Sequence, residues 1–135
     1  LESAVGDLLA RLASRQIDTR LDNAIPIDVE VPTETAAIMY RVAQEALTNV
    51  ARHSGASEVS VTVNHADGKV VVRIQDNGKG IAEQDARKSR SFGLLGMRER
   101  AYVLGGDLKV ARMPEGGTLI EAGIPAFGTI RNEGA

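Results

Sequence analysis

With 135 residues the chain is one domain by length, large enough to bury a core without staples. It has no cysteine, which excludes disulfides, thiolate chemistry and cysteine-ligated zinc, and a formal net charge of -2 with 25% charged residues gives no basic field for a nucleic acid backbone. No apolar run approaches the roughly 18 to 20 residues of a membrane span, and the chain begins at Leu1 without an initiator methionine or a signal-peptide pattern. The expectation is a cytoplasmic domain that does not itself bind membrane, cut from a longer protein whose own anchoring stays open.

Taken in order, Leu1, Val5, Leu8, Leu9 and Leu12 recur at helical spacing and predict a short amphipathic helix over Leu1 to Arg15, slightly weakened by Gly6, that packs on the domain. Ile17 to Leu21 and Ile27 to Val31, bounded by Asn23, Pro26 and Pro32, read as two short strands or extended segments. A long helix follows from Thr33, a good N-cap, to about Ser54 before Gly55. Met39, Val42, Ala43, Ala46, Leu47 and Val50 form its core stripe. At about 100° per residue, Glu45, Asn49 and Arg52 share a narrow arc beside that stripe, with His53 between arc and stripe. Such a seam can line a cleft for a charged ligand and its metal ion. Each residue alone is better explained by solvation or, for Arg52 and His53, by complementing the helix dipole, but Asn49 is a poor mid-helix residue that needs a reason.

After Gly55 the period changes to two. Val59, Val61 and Val63, then Val70, Val72 and Ile74, predict two antiparallel strands joined by a turn at His65 to Gly68, with His65 a turn residue of no chemical role. Asp76-Asn77-Gly78-Lys79-Gly80 closes the second strand. By itself it fits a turn on Asn77-Gly78 better than a ligand site, although an aspartate there can accept a hydrogen bond from an exocyclic amine. Ala82 to Phe92 is polar and aperiodic and reads as a mobile loop or lid, with Arg87, Lys88 and Arg90 as its cations. Gly93, Leu94, Leu95 and Gly96 open a third helix through Met97 to Leu104, stopped by Gly105-Gly106. Its glycine-rich start is either a hinge or an anion site of backbone N–H groups. A hairpin of Leu108 to Met113 and Thr118 to Ile124 turns at Pro114 to Gly117, and Ala126 to Ala135 reads as a frayed tail beyond a domain of residues 1–125. The elements predict a two-layer α/β sandwich, a mixed but mostly antiparallel sheet with three helices on one face.

In this order, an E-x-x-x-N-x-x-R-H helix, D-x-G-x-G, a polar loop, G-L-x-G-M-R-E-R and G-G-T, the motifs resemble the Bergerat-type ATP-binding domain of the gyrase, heat-shock chaperone, histidine kinase and mismatch-repair superfamily. Within it, Arg41 to Val50, His53 to Ala56 and Gly93 to Arg100 look like the sensor histidine kinases that partner nitrate-response-type regulators. The resemblance implies ATP and Mg2+ as cofactors. It implies that Asp76 reads the adenine amino group with Thr118 in support, that Gly78 and Gly80 admit the base, and that Ile81 and Met97 pack around it. Asn49 would coordinate the magnesium ion, Arg52 and His53 approach phosphates or ribose, and backbone amides around Gly93, Leu94, Leu95 and Gly96 hold the phosphate chain. Glu45 matches the position that activates water in hydrolytic relatives. The family's phosphoacceptor histidine sits on a dimerising helical domain and is followed by an acidic residue; neither His53-Ser54 nor His65-Ala66 fits. The implied partners are therefore that helical domain within a homodimeric parent, and a response regulator downstream. Two alternatives stay open: a nucleotide-binding regulatory module without phosphotransfer, and a hydrolytic ATPase with Glu45 as base.

Overall fold

A computed structural model describes residues 2–25, 30–79 and 95–125 of the chain. The elements are α1 (Glu2–Ala13), β1 (Asp18–Asn23), α2 (Thr33–Asn49), a π-helical turn (Val50–Ser54), β2 (Glu58–Ala66), β3 (Lys69–Asp76), α3 (Leu95–Val103), β4 (Asp107–Arg112) and β5 (Thr118–Pro125). The five strands form one sheet in the order β1-β2-β3-β5-β4. Only β1 and β2 run parallel, as expected of strands joined by a helical crossover, here α2; the other neighbours are antiparallel. The expected mixed sheet under three helices is what the chain forms.

Alternation decides which face is buried. Val59, Val61 and Val63 on β2, Val70, Val72 and Ile74 on β3, and Ile120, Ala122 and Ile124 on β5 point to the helices and are buried. Against them pack Val5, Leu9 and Leu12 of α1, Met39, Val42, Ala43, Ala46 and Leu47 of α2, and Met97 and Ala101 of α3. The opposite positions, among them Ser60, Arg73, Gln75 and Glu121, leave the second face polar, with Arg73 and Glu121 paired across β3 and β5.

Several local features differ from the expectations. Pro32, not Thr33, occupies the cap position of α2: no side chain caps the helix, and Ala36 N–H donates to the Pro32 carbonyl (2.9 Å). The long helix does reach Ser54, but its last five residues are π-helical and end on Gly55 at φ 64°. His65 belongs to β2, opposite Val70, because the turn needs only Asp67 and Gly68, whose φ values of 53° and 75° are those of a type I′ hairpin. Of the predicted segment Ile27 to Val31, residues 27–29 lie outside the described residues, and Glu30 and Val31 are not in a strand. The lid Ala82 to Phe92, with Arg87, Lys88 and Arg90, and the tail Ala126 to Ala135 also lie outside them.

Two glycines set how closely elements meet. A Cβ on Gly106 would lie 2.1 Å from the Gly123 carbonyl oxygen, so α3 hands over to β4 tight against β5. A Cβ on Gly117 would lie 1.9 Å from the Asp76 carbonyl oxygen, so the β4–β5 hairpin crosses directly over the end of β3.

Candidate functional site

The end of β3 is where the sequence motifs meet. Asp76 continues the inward alternation of Val70, Val72 and Ile74, so its carboxylate points to the helix side, and it is only 8% exposed. Burying an ionised carboxylate requires donors. The Gly78 backbone N–H donates to Asp76 Oδ1 at 2.8 Å, closing a turn of the chain onto its own side chain, and the Thr118 backbone N–H donates from β5. Desolvation still outweighs these two bonds, and the Asp76 carboxyl is held above the usual aspartate range. What results is a fixed acceptor at a strand end with capacity left for a ligand donor.

Asn77 serves this arrangement, and its side-chain role was not read from the sequence. Its Oδ1 accepts the N–H groups of Ser57 (3.0 Å) and Glu58 (2.9 Å), its Nδ2 donates to Ser57 Oγ (3.0 Å), and its own N–H donates to the Glu58 carbonyl (3.3 Å). The residue after Asp76 thus fastens β3 to the start of β2. On the other side, Met113 N–H donates to the Gly117 carbonyl (3.0 Å) and Gly116 N–H to the Met113 carbonyl (3.0 Å), a tight loop laid over Asp76 to Gly78. The G-G-T stretch is therefore more than a hairpin turn: its glycines permit the approach that brings Thr118 N–H to Asp76. Its signal in the sequence was two consecutive glycines, where a hairpin of this length needs no such pair.

The polar seam of α2 ends near the same place, because α2 leads through Gly55 into β2, whose Val59 pairs with Asp76. Glu45 and Asn49 are half-buried, bordering the core as their spacing predicts, while Arg52 is exposed. Arg52 and His53 lie in the π-helical turn, where each residue advances less than in an α-helix, so Arg52 lags the phase a 3.6-residue period assigns it. α3 supplies Gly96, exposed, and Met97, buried at 8% exposure, from its first turn. The side chains of His53 and Leu95, and all of Gly80, Ile81, Gly93 and Leu94, lie outside the described residues. The structure thus brings Gly78 and Thr118 into direct contact with Asp76 and puts the ends of α2 and β3 side by side.

No group of three or more His, Asp or Glu side chains suited to a metal occurs among the described residues. The Asn49 amide oxygen nonetheless fits one kind of ion: magnesium takes few protein oxygens and completes its shell with phosphate and water. A concavity of about 720 Å³ lies elsewhere, against the polar sheet face, walled by Asp18, Glu58, Ser60, Gln75 and Pro114 among others. Among the described site residues only Asp76 lines it, and with four carboxylates to one guanidinium it does not suit a polyphosphate.

Residues 34–127 match the family described as histidine kinase-, DNA gyrase B-, and HSP90-like ATPase. The chain is 39% identical over 98 residues to the sensor protein VraS of Staphylococcus aureus (strain COL), a match covering 73% of this chain and 28% of that protein. The chain therefore spans under a third of such relatives. Among solved structures, the blue-light activated histidine kinase of Erythrobacter litoralis EL346 superposes with a TM-score of 0.71 at 25% identity, covering 93% of this chain and 42% of that one. The ATP binding domain of PrrB from Mycobacterium tuberculosis shares the fold, with a TM-score of 0.68 at 24% identity over 93% and 90% of the two chains. Among the described residues no helix is long and apolar enough to cross a membrane.

Proposed function

Because this chain belongs to the histidine kinase-, DNA gyrase B- and HSP90-like ATPase family, we propose that it is the catalytic ATP-binding domain of a two-component sensor kinase, delivering the γ-phosphoryl group of ATP to a histidine on a separate helical domain. The observation that carries the reading is the buried Asp76, fixed by the N–H groups of Gly78 and Thr118 at the sheet end where α2 also ends. A carboxyl held in that way is suited to the exocyclic amine of adenine, since it keeps an accepting oxygen with or without its proton. Met97 would pack on the base. Asn49 would hold Mg2+, which when bound neutralises charge on the phosphates. Glu45, Arg52, His53 and the backbone around Gly93 to Gly96 would flank the phosphate chain. In the transfer itself a histidine nitrogen forms a bond to the γ-phosphorus as the bond to the β,γ-bridging oxygen breaks, and ADP leaves. The protein's part is to position and to neutralise.

The parent would be a homodimer through its helical domain and would pass the phosphoryl group to a response regulator. The runs Arg41 to Val50, His53 to Ala56 and Gly93 to Arg100 support a regulator of the nitrate-response type. Calorimetric titration of ATP and ADP, with and without Mg2+, tests the site. Wild type is expected to bind both nucleotides, and Asn49→Ala to lose the magnesium dependence while retaining adenosine. Mixing the domain with a separately produced acceptor domain and labelled ATP tests the reaction; no label on histidine at any concentration defeats the kinase reading, and steady phosphate release that Glu45→Ala abolishes would make it a hydrolase.

A further inference from the structure

Arg98 lies on the flank of α3, one residue beyond buried Met97 and three before buried Ala101. Its Nε is shut off from solvent and has no hydrogen-bond partner, and it forms no ion pair among the described residues. A guanidinium N–H left in that state is destabilising, because it has given up water without gaining an acceptor. A second cost comes from position: Arg98 is the fourth residue of the helix, no acidic residue accompanies it in the first turn, and a cation there opposes the positive end of the helix dipole. One ligand chemistry relieves both, an anion at the start of α3.

The topology says which anion. The end of α3 is pinned at Gly106 against Gly123 and Ile124 of β5. Thr118, which holds Asp76, is at the opposite end of the same strand, about 17 Å away at strand rise. A helix of nine residues, about 13 Å long, that finishes at Gly123 therefore starts toward Thr118 and Asp76. It packs on α2, whose seam of Glu45 and Asn49 ends there too. Arg98 is thus a half-buried cation of α3, its Nε closed off from solvent, at the nucleotide end of the sandwich.

We propose that Arg98 is a polyphosphate-binding residue of this site, its guanidinium donating to the phosphate chain of the bound nucleotide and left without a partner when the site holds none. The inference rests on the domain binding ATP, as proposed above. Adenosine, AMP, ADP and ATP, the last two with Mg2+, are titrated into wild type, Arg98→Gln and Arg98→Lys, and the nucleotide-free proteins are melted. The expected result is a loss of about ten- to hundredfold in ATP and ADP affinity for Arg98→Gln, the size of a charge-assisted hydrogen bond, with adenosine within about twofold and a melting temperature at or above wild type. Arg98→Lys should recover part of the loss. ATP affinity unchanged in Arg98→Gln, or lost in parallel with adenosine and thermal stability, overturns the assignment in favour of a packing role. Wild type that binds adenosine but no better when phosphates are added also overturns it, whereas wild type that binds none of the four defeats the ATP-binding reading itself.

Discussion

Gly117→Ala is expected to damage both the fold and the site, and Gly116→Ala provides the internal control. Both glycines adopt left-handed backbone, at φ 99° and 100°, so either alanine pays the strain of a disfavoured conformation, about 1–3 kcal/mol. They differ in surroundings. A Cβ on Gly116 meets nothing nearer than the Gly78 carbonyl oxygen at 3.5 Å, an ordinary contact, whereas on Gly117 it falls 1.9 Å from the Asp76 carbonyl oxygen and 3.1 Å from the Asn77 Cα. Backbone cannot rotate out of the way as a side chain can, so the hairpin must lift from β3, an overpacking cost of about another 1–3 kcal/mol. Gly117→Ala should therefore cost about 2–6 kcal/mol, a large part of the about 5–15 kcal/mol of a typical domain. Urea denaturation of the three proteins gives the comparison, the difference between the two variants isolating the overlap. Lifting the hairpin also moves Thr118 N–H from Asp76, so surviving Gly117→Ala protein should bind adenosine at least about tenfold more weakly, one lost charge-assisted bond, with Gly116→Ala much less affected. Equal stability losses within about 0.5 kcal/mol would refute the idea that close approach, and not backbone strain alone, requires glycine here.

Asp76→Asn should leave the fold as stable as wild type or more so at neutral pH, while weakening adenine-nucleotide binding by at least about tenfold, since an amide replaces the charged acceptor; thermal melts and calorimetry read the two effects separately. The sign follows from the raised folded-state affinity of Asp76 for its proton: its contribution to stability is present below the ordinary aspartate pKa and is lost as pH rises through the folded value. Ligand binding runs the other way, so adenosine affinity should fall on acidification, beginning above the ordinary aspartate pKa of about 3.9, and Asp76→Asn should flatten that profile. Asn77→Ala removes three hydrogen bonds that tie β3 to the start of β2 and should cost about 1–2 kcal/mol in urea denaturation, given their exposure. Asn77→Asp, which keeps both acceptor bonds, should cost less, and equal losses would count against the latch.

Period and turn chemistry carried most of the fold. Alternating valines and isoleucines gave β2 and β3 because one face of each is buried, and that burial fixes side-chain parity within a strand. The core stripe of α2 from Met39 to Val50 follows from the same reasoning with the helical period. The turn at Asp67-Gly68 was overextended to include His65 because a polar residue at a strand end looks like loop until its cross-strand partner, Val70, is known. The phase of Arg52 was misjudged for a comparable reason: nothing in Val50 to Ser54 marks a π-helical turn, and a wheel drawn at one period cannot register a change of period.

By itself, the sequence determined the elements, the buried faces and the ordered motifs that mark the family, since these depend on residues close in the chain or on spacing along it. It left Asp76 ambiguous between turn and site. Only the tertiary structure decided what holds Asp76, by pairing β3 with β5 so that Thr118 N–H, 42 positions further on, reaches its carboxylate. The latch of Asn77 on Ser57 and Glu58, the need for glycine at 117 and the unpartnered Nε of Arg98 are of the same kind. Each depends on which distant backbone comes within hydrogen-bond or contact distance, and local spacing holds no information about that distance until the sheet order is set.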